Sequence, residues 1–413
     1  MRRLFLIISI LTAALLLLQC SDSTDPVQDD RRMPEDLTTA ELDMVESTGR
    51  FGFKLFSEVL DRAEPDENVF ISPLSVSFAL GMTYNGASGE TREAIADALE
   101  MSGMSLDEIN ESYRSLIDFL VNYDPLVIMQ IANSIWYRLG VQVDSTFIEL
   151  NRTYFDAVTQ ELDFNSSEAA DIINSWVFDN TNGKIEKIID PPINATTVMF
   201  LINAIYFKAD WLITFDENDT ESTDFHLPDG SITDCEMMYN EEDYQLLRND
   251  LFQAVRLPYG RESYCMTVLL PNQNVPMDSL VGEINEENWM VWQDSFVEAA
   301  ATLYMPRFKF EYKTNLNDML KAMGMEIAFI EEVADFSNMF TSRDVFIDNV
   351  IQKTFIQVDE KGTEAAAVTA VEIGAESAPD VININRPFVF VIHEKESGTI
   401  LFMGKVVNPV WQE

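Results

Sequence analysis

Residues 358–380 read VDEKGTEAAAVTAVEIGAESAPD. Small and β-branched residues fill the middle of the run, which is the composition of a strand. Two glutamates and the closing Gly, Ala, Ser, Pro and Asp belong to an exposed loop. Sorting the run by parity, as a strand's two-residue repeat demands, separates the two characters. The odd positions Thr363, Ala365, Ala367, Thr369, Val371, Ile373 and Ala375 carry no charge and are mostly small. The even positions Glu364, Ala366, Val368, Ala370, Glu372 and Gly374 hold both glutamates. One face suits a core and the other suits water. The stretch is therefore fit for two conditions, exposed as a loop or slotted into a sheet.

The rest of the chain sets limits on what such a segment could serve. Of 413 residues, 47% are hydrophobic, enough for a large core, and 27 Lys and Arg face 70 Asp and Glu, a net charge of −43. That charge repels phosphate backbones and anionic lipid, so nucleic acid is excluded as a partner. Arg2 and Arg3 precede LFLIISILTAALLLLQC, a basic start and an apolar run of the length of an export signal. The run ends in Leu17-Leu18-Gln19-Cys20, which resembles a bacterial lipobox with Gln19 in place of the usual small residue. The expected division is a lipoprotein-type signal over residues 1–19, an acidic flexible tether over 20–37, and one domain over 38–413. Cys20 would carry the lipid, placing the protein in the cell envelope; plain secretion is the alternative. Two further cysteines, Cys235 and Cys265, could pair, but spacing alone does not place them together.

Helical signals dominate the first third. Thr38 and Glu41, and Ser105 and Glu108, form capping boxes. Ser72-Pro73 is an N-cap followed by a proline in the first turn. Behind these caps, Phe51, Leu55 and Val59, then Leu74, Phe78 and Met82, then Ile109, Tyr113, Leu116 and Leu120, recur at helical spacing. Strand-like runs follow at 127–136, 198–207, 264–270, 301–310, 345–358 and 388–392. Segregated helices and strands point to an α+β fold.

The search for catalytic chemistry is negative. Two histidines, His226 and His393, leave few candidates for a triad or a metal site, and HEKES at 393–397 lacks the second zinc-protease histidine. No Cys-x-x-Cys or Cys/His zinc spacing occurs, and Glu241-Glu242-Asp243 lacks the ordered spacing of a calcium loop. No enzyme activity, metal or cofactor is expected.

Five stretches, in order along the chain, resemble the serpin family: NVFISPLSVSFALGMTYNGASGETREAI at 68–95, LINAIYFKADW at 201–211, VRLPYGRESYCMTVLLP at 255–271, VDEKGTEAAAV at 358–368 and RPFVFVIHEKESGTILFMGKVVNP at 386–409. The resemblance implies three β-sheets, about nine helices and an exposed reactive-centre loop. It implies a monomeric suicide-substrate inhibitor of serine proteases, with cysteine proteases a second class. The target attacks the loop, forms a covalent acyl complex, and is trapped as the severed loop inserts into the main sheet. It also implies a hinge of Glu360, Gly362, Thr363, Glu364, Ala365, Ala366 and Ala367. Ser72, Ser75 and Asn203 correspond to the shutter beneath the main sheet, with Gln352 where the family usually has histidine. Trp211 corresponds to the breach, and Arg307 to the basic partner of Glu360. Family spacing sets the reactive bond at Glu376–Ser377, or at Ala375–Glu376 if the loop slips by one. No Lys or Arg lies between Lys361 and Arg386, which disfavours trypsin-like targets. The alternative function is that of a non-inhibitory serpin, a binding protein or chaperone.

Overall fold

The computed structural model describes residues 37–340, 345–363 and 380–412. Cys20 with its signal and tether lies outside them, as do Glu364, Ala365, Ala366, Ala367, Ala375, Glu376 and Ser377. Helices are α1 (Thr39–Leu60), α2 (Pro73–Gly86), α3 (Gly89–Ala98), α4 (Leu106–Asn122), α5 (Ser145–Phe155), α6 (Ala169–Asn180), α7 (Met277–Val281), α8 (Glu286–Gln293) and α9 (Asn317–Leu320). Strands are β1 (Val69–Ile71), β2 (Val127–Arg138), β3 (Val158–Leu162), β4 (Met199–Asp210), β5 (Glu221–His226), β6 (Ile232–Arg248), β7 (Phe252–Tyr259) and β8 (Tyr264–Pro271). They continue with β9 (Val297–Pro306), β10 (Phe308–Asn315), β11 (Ile351–Asp359), β12 (Gly362–Thr363), β13 (Asp380–Asn383), β14 (Phe388–Glu394) and β15 (Ile400–Val406). No helix among the described residues is long and apolar enough to cross a membrane.

Both capping boxes form, so each helix starts with its first free N–H groups satisfied. The α2 stripe of Leu74, Phe78 and Met82 is fully buried, and nearly every other α2 residue is buried too. This helix lies inside the molecule rather than on it, which is why its apolar residues are not confined to one face. Two strand readings are corrected. The run at 301–310 is split at Arg307, where the chain passes from β9 on β6 to β10 on β11; its backbone N–H still donates to Glu236 O of β6. The run at 345–358 becomes a strand only from Ile351.

The strands form two hydrogen-bonded networks among the described residues. The nine-stranded one runs β1-β15-β14-β8-β7-β6-β9-β13, with β5 on β6; the six-stranded one runs β10-β11-β12-β4-β2-β3. The three sheets implied by the resemblance appear as two because the 17 residues of β6 run on from one sheet into the next. Between the networks lies the main core. Phe70 stacks on Phe402 at 5.2 Å and on Phe390 at 5.7 Å, and meets Phe310 edge-on. A second cluster of Trp136, Phe164, Ile173, Val177 and Ile202 fastens α6 to the opposite face of the six-stranded sheet.

Candidate functional site

The site lies between β4 and β11. Strand β11 alternates regularly: Gln352, Thr354, Ile356 and Val358 are buried, while Ile351 and Phe355 turn towards the α6 cluster. At its end the chain reverses through Glu360 and Lys361 and re-enters the sheet as β12, whose Gly362 and Thr363 are the last described residues before 380. Val358 pairs with Thr363 and Thr363 with Ala209; Asp359 pairs with Gly362 and Gly362 with Asp210. Both ladders are antiparallel, so β4 and β11 run parallel on either side of the plug. Beyond it no ladder joins them among the described residues. A narrow pocket, or slot, lies there, lined by Ile205, Tyr206, Phe207, Phe355, Ile356 and Thr363 among others.

Gly362 is dictated by this close approach. Its φ is +153°, and a Cβ would stand 2.2 Å from Ala209 O and 2.7 Å from the Asp210 Cα. Thr363 is buried, its hydroxyl 2.7 Å from that of Tyr259. The Tyr259 ring stacks on Trp211 at 4.3 Å and 14°. Trp211 in turn donates its indole N–H to Asp359 O at 2.9 Å and its backbone N–H to Lys361 O at 2.8 Å. Trp211 thus holds the turn and Tyr259 holds the plug. Tyr259 was not singled out in the sequence; its Pro-Tyr-Gly setting was the available signal.

Glu360, buried, accepts from Thr220 Oγ1 at 2.8 Å and from an Arg307 Nη at 3.5 Å. Arg307 and Glu360 are therefore neighbours, but Thr220 is the nearer partner, and nothing in the sequence marked it. The Arg307 guanidinium lies 4.2 Å from the centre of the Trp411 ring.

Below the slot, Ser72 Oγ accepts the Ser75 N–H at 3.2 Å and donates to Leu401 O at 2.8 Å. Gln352 makes two bonds to the Ser72 backbone: its Nε2 donates to Ser72 O at 2.7 Å and its Oε1 accepts Ser72 N–H at 3.2 Å. An amide both donates and accepts, and here it uses both abilities. Ser72, Ser75 and Gln352 thus form one group, but Asn203 is not bonded to them. It donates to Asn133 Oδ1 at 2.9 Å, and its own Oδ1 is buried without a hydrogen-bond partner. Over the outer face of the slot runs the segment following α6. Asn182 donates to the Tyr206 hydroxyl at 3.0 Å, and Lys184 Nζ sits 5.1 Å from the Phe355 ring centre. One short segment therefore touches both strands that bound the slot.

A second group contains reactive residue types, but its electrostatics oppose catalysis. His393 Nε2 is 3.1 Å from Cys265 Sγ and 3.0 Å from Thr267 Oγ1, all buried. Burial pushes the imidazole down to about 3 and the thiol up to about 12. A nucleophilic pair needs the reverse, a thiolate beside an imidazolium. Cys235, also buried, is likewise an unpaired thiol.

Comparison with known proteins agrees with this geometry. An uncharacterized serpin-like protein of Thermococcus kodakarensis is 33% identical over 375 residues, 89% of this chain and 86% of that one. The native structure of tengpin, a thermophilic serpin, superposes with a TM-score of 0.80 at 31% identity, covering 88% of this chain and 94% of that one. Human thyroxine-binding globulin superposes with a TM-score of 0.82 at 29% identity over 90% of this chain and all of that one. The family model described as serpin (serine protease inhibitor) matches residues 46–409, and the chain belongs to the serpin family.

Proposed function

We propose that this protein is a suicide-substrate inhibitor of serine proteases, exported and held at the envelope through Cys20. The observation that carries the reading is that Gly362 and Thr363 enter between two parallel strands, antiparallel to both, and that no ladder joins those two strands to each other among the described residues. A strand entering there would be antiparallel to both neighbours. Continuing the register sets Ala365 between Phe207 and Ile356, Ala367 between Ile205 and Thr354, and Thr369 between Asn203 and Gln352. The odd residues, uncharged and mostly small, then fall on the core side. Both glutamates fall on the α6 side.

The chemistry belongs to the target. Its serine Oγ attacks the Glu376 carbonyl, and the amide bond to Ser377 breaks. The Ser377 amine leaves with a proton, and Glu376 stays as an ester on the protease. The severed loop then slides into the slot, carrying the ester with it. Each added ladder bond contributes about 0.5–1.5 kcal/mol net, and buried methyls add about 0.8 kcal/mol per carbon. Insertion is thereby strongly downhill and competes with hydrolysis of the ester. Hinge residues Gly362 and Thr363 start the entry; Ser72, Ser75 and Gln352 anchor the strands that must part. An acidic residue before the bond suits a Glu-preferring protease; an Ala375–Glu376 bond suits an elastase-like one.

The test is incubation with Glu-specific, elastase-like and subtilisin-like proteases, read by denaturing gel and by mass spectrometry of the cut. An SDS-resistant complex and a cut after Glu376 or Ala375 are expected. Clean cleavage without a complex by every protease would overturn the reading in favour of a non-inhibitory binding protein. Anchoring is checked by radiolabelled palmitate, whose incorporation should vanish in Cys20→Ala.

A further inference from the structure

Strand β10 is the outer strand of the six-stranded sheet, and such an edge presents unpaired N–H and C=O groups. Residues 410–412 cover part of it. Lys309 N–H donates to Val410 O at 2.8 Å, Gln412 N–H donates to Lys309 O at 2.9 Å, and Glu311 N–H donates to Gln412 Oε1 at 3.1 Å. The base of this segment is fixed by Asn68, whose Oδ1 accepts the N–H groups of Val407 and Asn408. The pairing sets Trp411 beside Lys309 in parallel bridge geometry and lays its ring against the Arg307 guanidinium at 4.2 Å.

Arg307 is poorly held otherwise. Its contact with Glu360 is a single one at 3.5 Å, at the outer limit of a hydrogen bond, and its Nε is buried without a hydrogen-bond partner. A long side chain with one weak polar contact keeps its orientation only if its flat face is packed, and a planar guanidinium stacks well on an indole. Glu360 is the first residue of the turn that places the plug, and its carbonyl accepts the Phe215 N–H at 2.8 Å. We infer that Trp411 is a positioning residue for the hinge: it holds Arg307 towards Glu360 and so helps to hold the turn at Glu360–Lys361 in place until the loop is cut. This rests on the inhibitory reading of the slot. Without the indole, the guanidinium swings to solvent, Glu360 loses its counter-charge, and the hinge turn loosens.

The experiment compares wild type, Trp411→Ala, Trp411→Phe, Glu360→Gln and the double variant Trp411→Ala/Glu360→Gln. Each is read by thermal midpoint, by native-gel mobility during incubation at 37 °C, and by the half-life of protease trapping. Trp411→Ala should shorten that half-life about fivefold, the scale of one cation–π contact, and lower the midpoint by about 2 °C. Trp411→Phe, which keeps an aromatic face, should recover most of both. The double variant should behave like Glu360→Gln alone. The proposal is overturned if Trp411→Ala has no effect, or if its effect is as large without Glu360 as with it, since the ring would then only cover the sheet edge. Failure of the inhibitory reading is distinct: wild type would trap no protease, while mobility and midpoint would still report the coupling.

Discussion

The two sheets of this molecule are made of the same residue types and finished differently. In the nine-stranded network, β14 and β15 are buried at all seven positions, and β14 is paired along its length on both sides, with β8 and β15. In the six-stranded network, β4 is paired through eleven residues with β2 but through only two with β12. Strand β11 is likewise paired through eight residues with β10 and, among the described residues, through two with β12. The first sheet has nothing left to gain. In the second, β4 and β11 are joined among the described residues only through Gly362 and Thr363, and Asn203 Oδ1 is unpaired. On the proposed reading, a sheet that can admit one more strand is a store of free energy, provided a segment of suitable pattern is tethered beside it.

The largest expected effect comes from completing the open sheet. Nicking the loop should stabilise the protein by about 10 kcal/mol, a dozen ladder bonds at about 1 kcal/mol each. That should raise the thermal midpoint by about 10 °C or more. Equal melting of nicked and intact protein would erase the contrast between the two sheets.

Next comes blocking the entry. Thr363 already sits inside the sheet under the Tyr259 hydroxyl, so Thr363→Arg would have to bury an unpaired guanidinium or expel the plug. The variant should be cut by the same proteases yet form little or no SDS-resistant complex. Trapping at normal stoichiometry would mean that the slot plays no part.

The smallest of the three acts on the closed sheet. His393 is neutral when folded, its pKa held at about 3 by burial and by nearby Arg256 and Lys395, against about 6.5 in an unfolded chain. Above pH 6.5 neither state binds the proton, and no stability is at stake. As the pH falls from 6.5 towards 3, only the unfolded chain takes it up, so stability is lost. At pH 5 the loss should be about 2 kcal/mol relative to pH 7. The buried Glu394 carboxyl, raised by desolvation, works in the opposite direction. Denaturant titrations of wild type and His393→Gln at both pH values cancel that contribution. Parallel pH profiles for the two proteins would exclude His393 as the cause.

Much of this was legible along the chain, because its causes are local. Capping boxes at Thr38 and Ser105 and the Ser72-Pro73 start depend on residues three or four apart. The alternation of β11 and the parity of residues 363–375 follow from the strand repeat alone. The proximity of Glu360 to Arg307 came from resemblance, since nothing in the spacing of residues 53 apart brings them together. Other features were out of reach. Thr220 and Tyr259 touch the hinge from distant segments, Trp411 packs on the Arg307 that meets it, and Asn203 faces Asn133 rather than Ser72 because β2 is its neighbour.

By itself, the sequence determined that helices would precede strands and that one segment could serve as loop or strand. Only the tertiary structure decided that β4 and β11 stand parallel with Gly362 and Thr363 between them. Periodicity records which face of a strand is buried, but not which strand lies beside it. The placing of Thr363 between β4 and β11 is a relation between segments about 150 residues apart, set by how the whole core packs.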